Sequence, residues 1–338
     1  MTQKQLFSPF FAKRVNLNQA EMLDLIDKVL TAYQLGTLIS AEGIEVGYED
    51  VNFILTTNKG KFLLKVLIDF TVKKPRTKED SYRYVETMES LRADGVPLPK
   101  LFKNGDEYLL KQIVPHNDQP IWMIVMEFFE GKDFIENPPS LEDIKVIAKI
   151  LTIINSSKLV RKPMYDPWQP QFFLEEYAEN KKYLTPSNIE LIDEVVTKYK
   201  QIEISSLPKS IIHADFMRNN ILKNTKGEYC VLDYGVVNYA PRLSEVGVFL
   251  AGFCLDPEIS LEENRIAYQT GLDEYIRHLR LTSNEITHVG TMTRAAYALF
   301  HIAASHEKFV EDNQTEENEY WISLGTAGMK LTKEMGLK

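Results

Sequence analysis

The sequence predicts an α+β protein in two parts, a β-rich N-terminal part followed by a mostly helical C-terminal part. Three observations lead there. Between residues 36 and 127, apolar segments of strand length are separated by turn residues. From Ser140 onward, apolar residues recur mainly at helical spacing. The chain, at 338 residues, also exceeds what a single hydrophobic core usually organises. The boundary is placed after Glu127, giving parts 1–127 and 128–338, with Phe128-Phe129-Glu130-Gly131 as a hinge. Two such parts leave a cleft in which ligands are expected.

Taken in order, residues 16–33 put Met22, Leu23, Ile26, Val29 and Leu30 on one helical stripe. Strands are predicted at 36–44, 51–57 and 61–68, with a hairpin turn at Asn58-Lys59-Gly60. A helix over 77–93, with Tyr84, Met88 and Leu91 on its apolar face, ends at Asp94-Gly95; Pro97 and Pro99 prevent its continuation. Strands follow at 108–114 and 121–127. Helices are predicted near 140–156, 169–183, 187–201, 241–254, 261–279, 284–307 and 316–335, interrupted by a short β-rich island at 211–232.

Bulk properties exclude several classes. The longest apolar run, 246–255, is about half of what a bilayer-spanning helix needs. The first twenty residues lack the apolar stretch and cleavage site of a secretory signal, so a cytoplasmic protein is expected. Cys230 and Cys254 sit in apolar surroundings without metal or redox spacing, which fits buried free thiols. A net charge of −9 argues against a nucleic-acid partner and is compatible with a cationic small molecule.

The chemistry is concentrated in Ile211-Ile212-His213-Ala214-Asp215-Phe216-Met217-Arg218-Asn219-Asn220 and, one hairpin later, Val231-Leu232-Asp233-Tyr234-Gly235. Apolar pairs precede each polar cluster, so both acids end short buried segments and face loops. Phosphoryl transfer to a hydroxyl needs a carboxylate to orient the attacking group and take its proton, plus hard oxygen ligands for Mg²⁺. Asp215 suits the first role, and Asn220 with Asp233 the second. H-x-D-x-x-x-x-N followed by D-x-G is the arrangement that kinase-like enzymes use, and the order and spacing carry more weight than either piece alone. His213 is read as a packing and hydrogen-bonding residue; His301 and His306 do not share a helix face and do not form a metal pair.

A cation for the phosphates of ATP is expected at Lys65, set in a strand otherwise apolar on both faces, where an unpaired charge is costly. Its acidic partner is expected on the next helix. Asp80, Glu79, Glu86 and Glu89 compete, with Asp80 placed first because it stands one turn before Tyr84. The segment 43–53 is neither a G-x-G-x-x-G loop nor a P-loop, yet it precedes the Lys65 strand and is positioned to cover phosphates with backbone N–H groups.

These residues resemble the aminoglycoside phosphotransferase and choline kinase-like family, and within it the type II homoserine kinase branch. The resemblance covers most of the chain and rests on Tyr33-Gln34-Leu35-Gly36, Gly43-Ile44 with Gly47, 61–65 and 213–220. It implies a bilobal protein-kinase-like fold, ATP and Mg²⁺ as cofactors, Asp215 as base, Asn220 and Asp233 as metal ligands, and Lys65 on the α/β phosphates. It also implies adenine binding by backbone groups from Glu127 to Phe129, and Arg218 on the transferred phosphoryl or an acidic group of the acceptor. Two positions depart from the pattern: Tyr234-Gly235-Val236-Val237 after the metal-binding Asp, and Glu245 where related chains often carry Asp. The acceptor is therefore left as a small hydroxylated metabolite: an amino alcohol, a hydroxy amino acid, a sugar or an aminoglycoside.

A protein kinase is disfavoured because no A-P-E segment follows Asp233 and only a few residues separate it from the next helix. A non-catalytic nucleotide-binding module is disfavoured because binding alone does not require Lys65, Asp215, Asn220 and Asp233 together. The acceptor pocket is expected around 168–177 and 297–320, where aromatics with Glu175, Glu176, Glu307 and Glu311 would cage an ammonium group. The alternative, that these aromatics are core and these acids solvated, stands beside it.

Overall fold

The computed structural model describes residues 17–44, 50–67, 78–114 and 117–337. The chain divides into two compact units, one of residues 1–90 and 98–130, the other of 91–97 and 131–338.

In the first unit, helix α1 (Gln19–Ala32) opens with a capping box in which Asn18 and Glu21 satisfy each other's backbone N–H. Met22, Leu25, Ile26, Val29 and Leu30 are buried, whereas Leu23 lies half-buried at the margin of that stripe. Strands β1 (Leu38–Ile44), β2 (Val51–Thr57) and β3 (Gly60–Leu67) precede helix α2 (Lys78–Ala93); β4 (Leu110–Val114) and β5 (Asn117–Glu127) follow it. They form one antiparallel sheet in the order β1-β2-β3-β5-β4. Burial alternates along the whole of β2, so one face of the sheet is committed to the core with α1. Tyr33, just past α1, donates its hydroxyl to the Tyr108 carbonyl at 2.5 Å and ties the helix to the sheet. The segment expected to cover phosphates lies partly at 45–49, outside the described residues.

The second unit carries α3 (Leu141–Asn155), α4 (Phe173–Asn180), α5 (Pro186–Tyr199), β6 (Lys209–Ile212), β7 (Ile221–Lys223), β8 (Tyr229–Val231), β9 (Asn238–Pro241), α6 (Arg242–Phe249), α7 (Leu261–His278), α8 (Ser283–Val310) and α9 (Glu316–Glu334). β6 pairs with β9 and β7 with β8. α8 is the axis of this unit. Its residues from Val289 to Ser305 are all buried, because neighbours cover it on every side. α9 packs directly on it at Gly328, where a Cβ would fall 2.2 Å from the Tyr297 ring. The helix expected over 241–254 is α6 continued by a π-helical turn, Leu250–Cys254. No helix among the described residues is long and apolar enough to cross a membrane.

One carboxylate joins α3 to the β7–β8 hairpin. Asp143 completes the capping box with Ser140, and its Oδ1 also accepts from Lys223 Nζ at 2.5 Å and Tyr229 Oη at 2.6 Å. Burial raises its pKa, but the hydrogen bonds from Lys223, Ser140 and Tyr229 outweigh that and leave it at about 2. A folded pKa below the unfolded value gives stability that is present above pH ~4 and lost as pH falls toward 2. Lys223 is 38% exposed, so solvent screening reduces the contribution to about 1 kcal/mol. Asp143→Asn should therefore lower urea stability by about 1 kcal/mol at pH 7. That difference should shrink between roughly pH 4 and pH 2. A difference that does not depend on pH would contradict this account.

Candidate active site

The β7–β8 hairpin brings the two polar clusters together. Ile221, Leu222 and Lys223 pair with Val231, Cys230 and Tyr229, and Asn224 Oδ1 closes the turn by accepting from the Lys226 and Glu228 N–H groups. This register places Asn220 opposite Leu232, whose N–H donates to the Asn220 carbonyl at 2.8 Å. Asp233 is the next residue. At the other end, buried Ile211 and Ile212 in β6 lead into His213 and Asp215.

Asn220 spends both amide hydrogens on Asp215, at 3.0 Å to its carbonyl and 2.5 Å to its Oδ2. The amide oxygen is therefore the atom left for a cation. Asp233 holds the left-handed conformation with φ of 55°, and its Oδ1 accepts from the Gly235 N–H at 3.2 Å. Ala214 is also left-handed, with φ of 73°. Two non-glycine residues in that region, each beside a polar cluster, are backbone strain of the kind functional sites retain. Burial, then the charge of Asp233, pushes Asp215 up to about 7, with smaller contributions from Asp166 and Glu317.

Fully buried His213 connects the two clusters. Its Nδ1 accepts from the Asp215 N–H at 3.3 Å, so the proton lies on Nε2, which donates to the Leu232 carbonyl at 2.7 Å. The ring sits 4.6 Å from Tyr234 and 5.7 Å from Phe216, the structural role expected for it. Glu245, on α6 and wholly buried, accepts from the His213 N–H with one oxygen and from the Ala214 N–H at 2.9 Å with the other. Burial pushes this carboxyl up to about 8, against the pull of those two donors. The sequence marks Glu245 only as a departure; its contact with the loop depends on how α6 packs.

In the first unit, Lys65 is 3% exposed and forms an ion pair with Asp50 at 3.1 Å, its Nζ lying 5.6 Å from the Tyr84 ring centroid. Asp50, just ahead of β2, was not among the acids weighed from sequence, since nothing in its spacing marks it. Asp80 lies in the first turn of α2, 3.9 Å from Arg83. Glu127 ends β5 and donates its N–H to the Lys100 carbonyl at 2.8 Å; Phe129 follows, half-buried.

Arg218 is not placed as the resemblance implied. It is 9% exposed, and its guanidinium donates to the Phe253 and Leu255 carbonyls and to Asp256. Of the expected acceptor-pocket residues, Tyr177, Phe173, Tyr297, Phe300 and Glu176 are buried core. Glu176 accepts from Tyr165 and Asn180, and Tyr297 donates to the Ala251 carbonyl. Trp168 is half-buried and Tyr320 is 41% exposed.

The fold and the linked H-x-D and D-x-G loops define a small-molecule kinase. Solved structures share the fold: a microcompartment-associated aminopropanol kinase has a TM-score of 0.68 at 15% identity, covering 94% of this chain and 99% of that one. An amicoumacin kinase in complex with AMP-PNP and Ca²⁺ has a TM-score of 0.66 at 14% identity, covering 94% of each chain. The homoserine kinase of Methylobacillus flagellatus is 21% identical over 281 residues, 83% of each chain. The chain belongs to the phosphotransferase enzyme family, whose pattern matches residues 40–278.

Glu245→Gln exchanges one accepting oxygen for an amide donor facing a buried N–H. Equilibrium urea unfolding should show a loss of about 1–3 kcal/mol. An unchanged midpoint would remove Glu245 as the anchor of the His213–Ala214 turn.

Proposed function

We propose that the protein transfers the γ-phosphoryl group of ATP to a hydroxyl of a small, amine-bearing metabolite, an amino alcohol or a hydroxy amino acid. The observation that carries this reading is Asp215, buried beside Asp233 and oriented by both hydrogens of the Asn220 amide. Asp215 accepts the proton of the acceptor hydroxyl as its oxygen bonds to the γ-phosphorus and the bond to the departing ADP oxygen breaks. Asn220 through its amide oxygen and Asp233 through its carboxylate fit a divalent cation. The described residues offer no cluster of three or more His, Cys, Asp or Glu, which suits Mg²⁺ completed by phosphate oxygens. When bound, the cation neutralises charge on the phosphates.

Lys65, fixed by Asp50 and stacked near Tyr84, supplies positive charge for the α/β phosphates. Since the Glu127 N–H is already donated, the Glu127 carbonyl and the backbone of Phe129 are assigned to adenine. An amine-bearing acceptor is favoured by the carboxylates whose charge reaches Asp215, namely Asp233, Asp166 and Glu317. The homoserine and aminopropanol kinases among its relatives act on acceptors of this kind.

The test is ADP release from Mg·ATP across amino alcohols, hydroxy amino acids, sugars and aminoglycosides, run beside Asp215→Asn. Turnover with an amine-bearing acceptor, lost in the variant, is expected; full activity in Asp215→Asn would reject the base. The base must be unprotonated to act, so kcat/KM for ATP, which reports on the free enzyme, should fall as pH drops below about 7. A profile flat from pH 5.5 to 8 (roughly the range over which such a group titrates) would count against Asp215.

A further inference from the structure

We infer that Arg218 is a positioning residue, the second of two anchors by which the α6–π element holds the catalytic loop. The inference rests on the phosphotransfer reading above for what the loop does, but the anchoring itself is a matter of geometry.

The first anchor is Glu245, which takes the N–H groups at the start of the loop. The element then runs from α6 into the π-turn, where the Leu255 N–H reaches back five residues to the Leu250 carbonyl at 3.0 Å. A widened turn leaves carbonyls at the helix end without backbone partners. Here they are met by side chains. Tyr297 donates to the Ala251 carbonyl at 2.7 Å, and Arg218 donates through Nε to Phe253 at 3.1 Å and through Nη2 to Leu255 at 3.4 Å. Its Nη1 meets Asp256 Oδ2 at 2.7 Å.

Asp256 is itself fixed. Its Oδ1 accepts from the Glu258 N–H, and its backbone N–H and carbonyl are both bound by the fully buried Asn264. The planar guanidinium thus meets three acceptors on a rigid corner, a task that a lysine ammonium does not reproduce. Between the two anchors the element makes room for the loop at Gly252, where a Cβ would lie 2.5 Å from Met217 Cγ and 2.6 Å from its Sδ. On its outward side the Arg218 carbonyl accepts from the Phe134 N–H at 3.1 Å. Arg218 opens the 3-10 turn that ends in Asn220, so its placement sets where that amide meets Asp215.

The experiment pairs Arg218→Ala and Arg218→Lys with Gly252→Ala, which disturbs the loop from the Met217 side without altering any charge. Amide hydrogen exchange over 213–220 and steady-state kinetics are measured on each. Faster exchange in Arg218→Ala and Gly252→Ala is expected, with kcat reduced roughly 10- to 100-fold and acceptor KM within about threefold. Arg218→Lys should recover only part of the loss. A tenfold or larger rise in acceptor KM at unchanged kcat in Arg218→Ala would overturn the inference in favour of direct acceptor contact. Unchanged exchange in both alanine variants would overturn it as well. If the wild-type protein turns over no acceptor, the phosphotransfer reading fails, while the exchange measurement still decides the anchoring.

Discussion

The catalytic loop depends on one buried carboxylate. Glu245 has no exposure, and it takes two consecutive backbone N–H groups, those of His213 and Ala214. Two adjacent amides converge on one acceptor only when the chain turns sharply between them, and Ala214 does so in the left-handed region. The backbone strain there is offset by hydrogen bonds that would otherwise be missing from a dry interior. Everything downstream inherits this geometry: the exit direction of Asp215, the approach of the Asp215 N–H to His213, and the path toward Asn220. A longer acid than the Asp common among related chains reaches the same amides from a helix set correspondingly further back.

The electrostatics follow from the same packing. Asp215 and Asp233 are two like charges in a poorly solvated setting, and each raises the cost of ionising the other. The sequence brings them close by way of a hairpin of only three-residue strands, and His213 spans the gap with a neutral ring. The base segment and the metal segment are therefore joined through an imidazole whose two nitrogens have fixed and different roles.

Much of this was legible in the sequence. β2 was read at 51–57 and lies there, because alternation on a half-buried sheet leaves a period of two with little ambiguity. The helices of the second unit were found to within a few residues where Ser or Thr caps mark their starts, as at Ser140, Ser260 and Thr282. β5 begins at Asn117, earlier than the predicted 121, since polar Asn117, Asp118 and Gln119 carry no strand pattern. The Asp50–Lys65 pair was hidden for a different reason. Cross-strand register, not local spacing, brings Asp50 to Lys65, and the helix acids offered equally good counterions. Arg218 was misplaced because a motif fixes a residue's position in the chain but not the carbonyls its side chain meets.

The π-turn at Leu250–Cys254 carries a consequence for how this chain can vary in length. Such a turn holds one residue more than the α-helix would at that point. Loss of a single residue there would restore regular helix and rotate all that follows by about 100° around the axis. Asp256 and the start of α7 would then face a different neighbour. This stretch therefore tolerates substitutions more readily than deletions, and its residue count is as much a part of the site as any side chain within it.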